Sequence, residues 1–146
     1  MSGYFITFEG IDGSGKTTQA EMLEKKLKSL GRKVILTREP GGVGGAEEIR
    51  DLLVQGSTDR WSSITETLLF FAARRHHLEQ RILPALESES IVVCDRFSDS
   101  TMVYQGGEDP KTQELIGNLG KLAIGLEPNL TLIIDVDPVK SLNRGL

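Results

Sequence analysis

The sequence has a single cysteine, Cys94, so no intrachain disulfide can form, and the several ligands a structural zinc site needs are missing. Cys94 lies in the apolar run IVVCD and reads as a small buried hydrophobe rather than a nucleophile. No stretch approaches the roughly 20 apolar residues that cross a bilayer. The first residues lack the positive region of a signal peptide and read at once as a strand, so a cytoplasmic protein with no membrane partner is expected. Positive charge is not in surplus either. Lys and Arg number 17 against 21 Asp and Glu, a net charge of −4, and a nucleic-acid partner would call for a clustered basic face. The basic residues stand singly near the motifs, which suits a small anionic ligand. With 38% hydrophobic and 26% charged residues, the 146-residue chain can bury a core, and neither disorder nor a fibre is indicated.

What is present alternates. Residues 4–9 (YFITFE), 33–37 (KVILT), 91–95 (IVVCD) and 130–136 (LTLIIDV) read as strands. Between them, residues 17–30 carry Ala20, Leu23, Leu27 and Leu30 at helical spacing, with Gly31 placed as a helix stop. Residues 46–55 form a second helix. Residues 63–86 form a long one that Pro84 should kink or shorten. Residues 98–105 and 110–125 follow, Pro110 sitting in a first turn, and Asp137-Pro138 opens a last helix. Strand–helix–strand repetition implies crossover connections and a parallel sheet in one α/β domain spanning 1–146.

Gly10-Ile11-Asp12-Gly13-Ser14-Gly15-Lys16-Thr17 matches G-x-x-x-x-G-K-[ST] at every fixed position. Glycines let the backbone bend and turn its N–H groups onto phosphate oxygens. The helix N-terminus that follows attracts anions. Lys16 is expected to reach the β- and γ-phosphates of a triphosphate and the Thr17 hydroxyl to ligate Mg²⁺. A strand before and a helix after set the motif apart from a chance glycine-rich turn. The expected fold is therefore P-loop NTPase-like, a three-layer α/β/α arrangement around a parallel sheet.

In such sheets ligands bind beyond the carboxyl ends of the strands. Asp95 and Arg96 end the IVVCD strand there, the first as a Mg²⁺ carboxylate and the second as a guanidinium fork for phosphate. Asp135 is a similar strand-end acid and reads as structural. Taken by themselves, Phe70 reads as core, Arg74 and Arg75 as a solvated helix face, His76 and His77 as surface or helix-packing residues, and residues 37–42 as a turn.

Four segments together resemble the thymidylate kinase family, among the P-loop nucleoside monophosphate kinases. They are the phosphate loop with Asp12; TREPGG at 37–42; LLFFAAR at 68–74; and DRF at 95–97 followed by SDST at 98–101 and YQG at 104–106. The resemblance implies Mg²⁺-dependent transfer of the ATP γ-phosphoryl to dTMP, giving dTDP for dTTP synthesis. It implies an ATP-binding set of Gly10, Ile11, Asp12, Gly13, Ser14, Gly15, Lys16, Thr17 and Thr18. On the acceptor side Phe70 would stack on thymine, Arg74 would donate to its 4-oxo group, and Thr101 and Gln105 would contact the base from the other side. Tyr104 would crowd the sugar 2′ position, Asp12 would lie near the 3′-hydroxyl, and Arg96 would hold the acceptor phosphate. Glu39 would line the acceptor site, with Arg50 a further contact. Lys16, Arg96, Asp95 and Asp12 form the implied catalytic set, Thr17 and Asp95 the metal ligands, and a homodimer packed through helices the implied assembly.

Some members carry a catalytic arginine inside the loop. Here Ile11, Asp12, Gly13 and Ser14 include none, which resembles the kind that supplies it from a mobile lid after the fourth strand. The chain ends at Asn143-Arg144-Gly145-Leu146, about where that lid, a helix and a final strand would begin, so a truncated form with weak nucleotide binding and slow turnover is expected. Arg144 is too isolated to stand in for the lid. The rival readings are another small-molecule kinase on this fold, and a nucleotide-binding module without transferase activity.

Overall fold

The computed structural model describes residues 3–144, the Arg144 side chain excepted. Gly145 and Leu146, where the lid was expected to begin, lie outside the described residues. The chain divides into two compact units. Met1–Arg38, Pro84–Phe97 and Pro128–Leu146 make the first, and Glu39–Leu83 with Ser98–Glu127 make the second.

The first unit is built on strands β1 (Tyr4–Glu9), β2 (Val34–Arg38), β3 (Ile91–Asp95) and β4 (Leu130–Ile133). They form a parallel sheet in the order β2-β3-β1-β4. β1 is paired on both sides, and Phe5 to Glu9 are all buried, as a strand covered on both faces requires. Its alternate residues Ile6 and Phe8 join Val34 and Val93 in a core closed by Ala20, Leu23 and Leu27 of helix α1 (Lys16–Ser29). Those are the helical positions expected to face inward, except that Leu30 lies past the helix end and is exposed. Phe5 meets Phe97 edge to face, with ring centroids 5.0 Å apart. β4 is shorter than the expected 130–136. Its sheet neighbour β1 ends at Glu9, whose carbonyl takes the Ile134 N–H at 2.9 Å, and no residue of β1 remains to pair further.

The second unit is helical. It holds α2 (Gly44–Val54), which packs on α3 (Ser63–His77), together with α5 (Ser98–Thr101) and α6 (Pro110–Leu119). Each of the last three runs into a π-helical stretch: Leu78–Ile82, Met102–Gly106 and Gly120–Ile124. The long helix expected over 63–86 is thus interrupted before Pro84. The Leu83 N–H donates to the Leu78 carbonyl, five residues back, and α4 (Leu83–Glu87) starts there. Pro84 then falls in a first turn, where its missing N–H costs nothing, so the widened turn takes the place of the expected kink. Pro110 sits in the first turn of α6, as expected, behind Asp109, whose carboxylate accepts the Lys111 and Thr112 N–H groups. Α final helix, α7 (Pro138–Arg144), belongs to the first unit.

Candidate functional site

The phosphate loop joins β1 to α1 in the first unit. Gly10 stands at φ 153°, and a Cβ there would fall 2.9 Å from the Ile134 carbonyl oxygen. Gly15, at φ 94°, has open space around it, so its demand is conformational rather than steric. Gly15 precedes α1, and no side chain caps that helix. The first-turn amides are left to a ligand, the arrangement that anion-binding loops use.

Lys16 is buried on the loop. Its Nζ donates to the Ile11 carbonyl at 3.4 Å and lies 3.9 Å from Asp12 Oδ1. Burial pushes its pKa down, and the nearby Arg96 charge adds to that, while Asp95, Asp12 and Glu9 oppose it. The Arg96 guanidinium donates to the same Asp12 Oδ1, so one exposed carboxylate holds two cations. At the end of β3 the Thr17 hydroxyl donates to Asp95 Oδ2, while Asp95 Oδ1 is buried with no hydrogen-bond partner among the described residues. A hydroxyl and a carboxylate side by side, with a buried oxygen to spare, fit the hard-oxygen preference of Mg²⁺. No group of three or more His, Cys, Asp or Glu gathers as metal ligands among the described residues. The rest of a Mg²⁺ shell would therefore come from phosphate oxygens and water, which suits that ion.

Arg96 adopts φ 70°, a left-handed conformation that a side chain makes costly. Hydrogen bonds from both sides hold the turn. The Arg96 N–H donates to the Phe8 carbonyl at 2.9 Å, and the Cys94 thiol donates to the Arg96 carbonyl at 3.1 Å. The buried Glu9 carboxylate takes the Phe97 N–H at 2.7 Å. Glu9 was not singled out from the sequence. Its signal was an acid closing an otherwise apolar strand. Cys94 is buried, as expected.

The second unit carries a cluster of another kind. Arg74 on α3 is only 3% exposed. Its Nε donates to Glu39 Oε1 at 2.6 Å, its Nη2 donates to Thr101 Oγ1 at 2.8 Å, and the guanidinium lies 5.4 Å from the centroid of the Phe71 ring. The other Glu39 oxygen, Oε2, meets His77 Nδ1 at 2.7 Å. The carboxylate is an acceptor, so Nδ1 carries the proton. The solvated-face reading of Arg74 fails because Glu39 and Thr101 take the Nε and Nη2 donors of a guanidinium that could not otherwise be buried, while Nη1 is buried with no hydrogen-bond partner among the described residues. Arg75, one residue on, faces water and pairs with Glu79 at 2.6 Å. His77 is wholly buried, and its Glu39 partner was not anticipated.

The remaining candidates fall in place by unit. Asp12, Lys16, Thr17, Thr18, Asp95 and Arg96 belong to the first; Glu39, Arg50, Phe70, Arg74, Thr101, Tyr104 and Gln105 belong to the second. Phe70 and Arg50 are half-buried, and Phe71 rather than Phe70 is the core residue of that helix turn. Tyr104 is exposed on the π stretch, and Gln105 buries an Oε1 that finds no partner among the described residues. Asp135 is exposed.

Residues 8–145 match the family model of thymidylate kinase. The chain is 56% identical over 143 residues to the thymidylate kinase of Ruegeria pomeroyi, covering 98% of this chain and 68% of that protein. It is 56% identical over 146 residues to the thymidylate kinase of Jannaschia sp., covering all of this chain and 70% of that protein. The crystal structure of thymidylate kinase from Ehrlichia chaffeensis superposes with a TM-score of 0.86 at 44% identity, over 99% of this chain and 83% of that one.

Proposed function

Because the chain belongs to the thymidylate kinase family, we propose that it transfers the γ-phosphoryl of ATP to dTMP, giving dTDP, with Mg²⁺. The observation that carries the transfer is the assembled phosphate loop: uncapped helix amides, a buried Lys16, and Thr17 hydrogen-bonded to Asp95.

Phosphoryl transfer asks little covalent chemistry of a protein and much alignment and charge. The amides of Gly13 to Thr17 and the Lys16 ammonium bind the triphosphate, and the lysine regains the positive charge that burial disfavours. Thr17 and Asp95 would hold Mg²⁺, which would screen the phosphate oxygens. Arg96, carried on its strained turn, gives its fork to the acceptor phosphate; the exposed Asp12 carboxylate that it now grips is a weak competitor for a dianion. Asp12 is then at liberty to meet the sugar 3′-hydroxyl.

Arg74 reads the base. An arginine donor suits the 4-oxo group of thymine and is mismatched to the 4-amino group of cytosine, whose approach would leave donors unpaired. Phe70 stacks on the ring, Gln105 offers its unpartnered Oε1 as an acceptor, and Tyr104 crowds the 2′ position. Glu39 and Thr101 act through Arg74 by fixing its plane, and Arg50 is a further contact of the acceptor. No helix among the described residues is long and apolar enough to cross a membrane, and we place the enzyme in the cytoplasm as a homodimer.

A coupled assay with dTMP, dUMP, dCMP and dAMP tests this reading. dTMP is expected to be preferred, Lys16→Ala to cut transfer about 10²-fold or more, and Arg74→Ala mainly to weaken dTMP use. Equal use of dCMP and dTMP would refute the assignment.

A further inference from the structure

We propose that His77 is a positioning residue for nucleobase selection: its Nδ1–H fixes the Glu39 carboxylate that orients the Arg74 guanidinium. The inference deepens the acceptor reading given above and rests on it. Its ground is geometric. Glu39 is shared between two donors, Oε1 taking Arg74 Nε–H at 2.6 Å and Oε2 taking His77 Nδ1–H at 2.7 Å. All three side chains are at least about nine-tenths buried, so water is not at hand to replace a lost partner.

A carboxylate anchored at one oxygen can still rotate about its last bond; anchored at both, its plane is set. Arg74 meets that plane through Nε and is fastened at Nη2 by Thr101, 2.8 Å away. A guanidinium is rigid and planar, so two fixed points fix the direction of every remaining N–H. His77 lies one helical turn after Arg74 on α3 and is wholly buried, so the histidine that steadies the carboxylate is itself held by packing. Support of this kind for a recognition residue decides whether a donor points at its target or about an ångström away. Loss of His77 is therefore expected to act on the base and not on ATP.

Asn and Gln distinguish this from a packing role. The amide nitrogen of asparagine falls near the position of Nδ1, whereas that of glutamine falls nearer Nε2. In the intact protein, dTMP, dCMP and ATP affinities are measured by titration calorimetry for His77→Leu, His77→Asn and His77→Gln, with far-UV circular dichroism as the check of folding. The inference expects His77→Leu and His77→Gln to weaken dTMP binding about tenfold and narrow the dTMP-over-dCMP preference, with ATP affinity unchanged. His77→Asn should restore most of both. Should His77→Leu not fold, the difference between Asn and Gln still decides. Equal behaviour of Asn and Gln, or parallel losses for dTMP and ATP, overturns the inference. Arg74→Ala is run beside them: if it leaves dTMP binding intact, the base-reading role itself is wrong, whereas if only the histidine variants are silent, the failure belongs to His77 alone.

Discussion

Around the phosphate loop, polar partners that face water meet a buried Lys16. Asp12 is exposed and tethers Lys16 and Arg96 from outside, and Thr17, which binds Asp95, is exposed as well. Around Arg74 they are shut in: Glu39, His77 and Thr101 are all buried, and each is satisfied by another side chain. On the reading proposed above, the first unit would meet phosphate with backbone, through glycines and uncapped amides, and the second would meet the base with side chains, which can tell one base edge from another only if their directions are fixed. Charge tolerates loose geometry because Coulomb energy falls off slowly with distance; a hydrogen-bond pattern does not.

That contrast is open to measurement. The largest effect is expected at Glu39. Glu39→Ala strands a buried guanidinium and a buried imidazole and should cost about 3–5 kcal/mol in urea unfolding. Asp12→Ala, which removes a solvent-exposed carboxylate, should cost under about 1 kcal/mol. Similar values for the two would break the comparison. A middle effect belongs to Lys16. The folded protein holds its proton less firmly than the unfolded chain, so its charge opposes folding at all pH values below the lowered pKa. That cost fades as pH rises toward the ordinary lysine range. Lys16→Met should therefore raise the melting temperature of the nucleotide-free protein at pH 7, by an amount that shrinks toward alkaline pH. A gain that grows with pH would contradict the sign. The smallest effect sharpens the comparison at two helix ends. α3 is capped by Ser62, whose Oγ accepts the Thr65 N–H at 3.1 Å, while α1 has no side-chain cap. Ser62→Ala should cost about 1 kcal/mol by thermal unfolding. Replacing Gln19, one turn inside α1, by Ala should cost almost nothing by the same measure, since no cap is lost there.

Strands were legible because their runs are short, apolar and bounded by glycine or charge, as in YFITFE and IVVCD. The phosphate loop was legible because its demands are local: a glycine where φ is positive, then a lysine and a hydroxyl opening the helix. The helices after residue 77 were harder. An α-to-π change does not alter which residues are apolar, so the pattern around Leu78–Ile82 looks the same for both. Arg74 and His77 were illegible by themselves, since an arginine on a helix is buried only when partners arrive from elsewhere, and Glu39 is 35 residues away in the chain.

The sequence alone determined the alternation of strands and helices, the anion-binding loop and, through four motifs in order, the family. Each of these depends on neighbours in the chain or on a pattern of types. Tertiary structure alone decided that β1 lies between β3 and β4, that Glu9 pins the turn bearing Arg96, and that one buried carboxylate joins Arg74 to His77. Those facts rest on which distant groups can satisfy one another away from water, and no local pattern in the chain encodes that pairing.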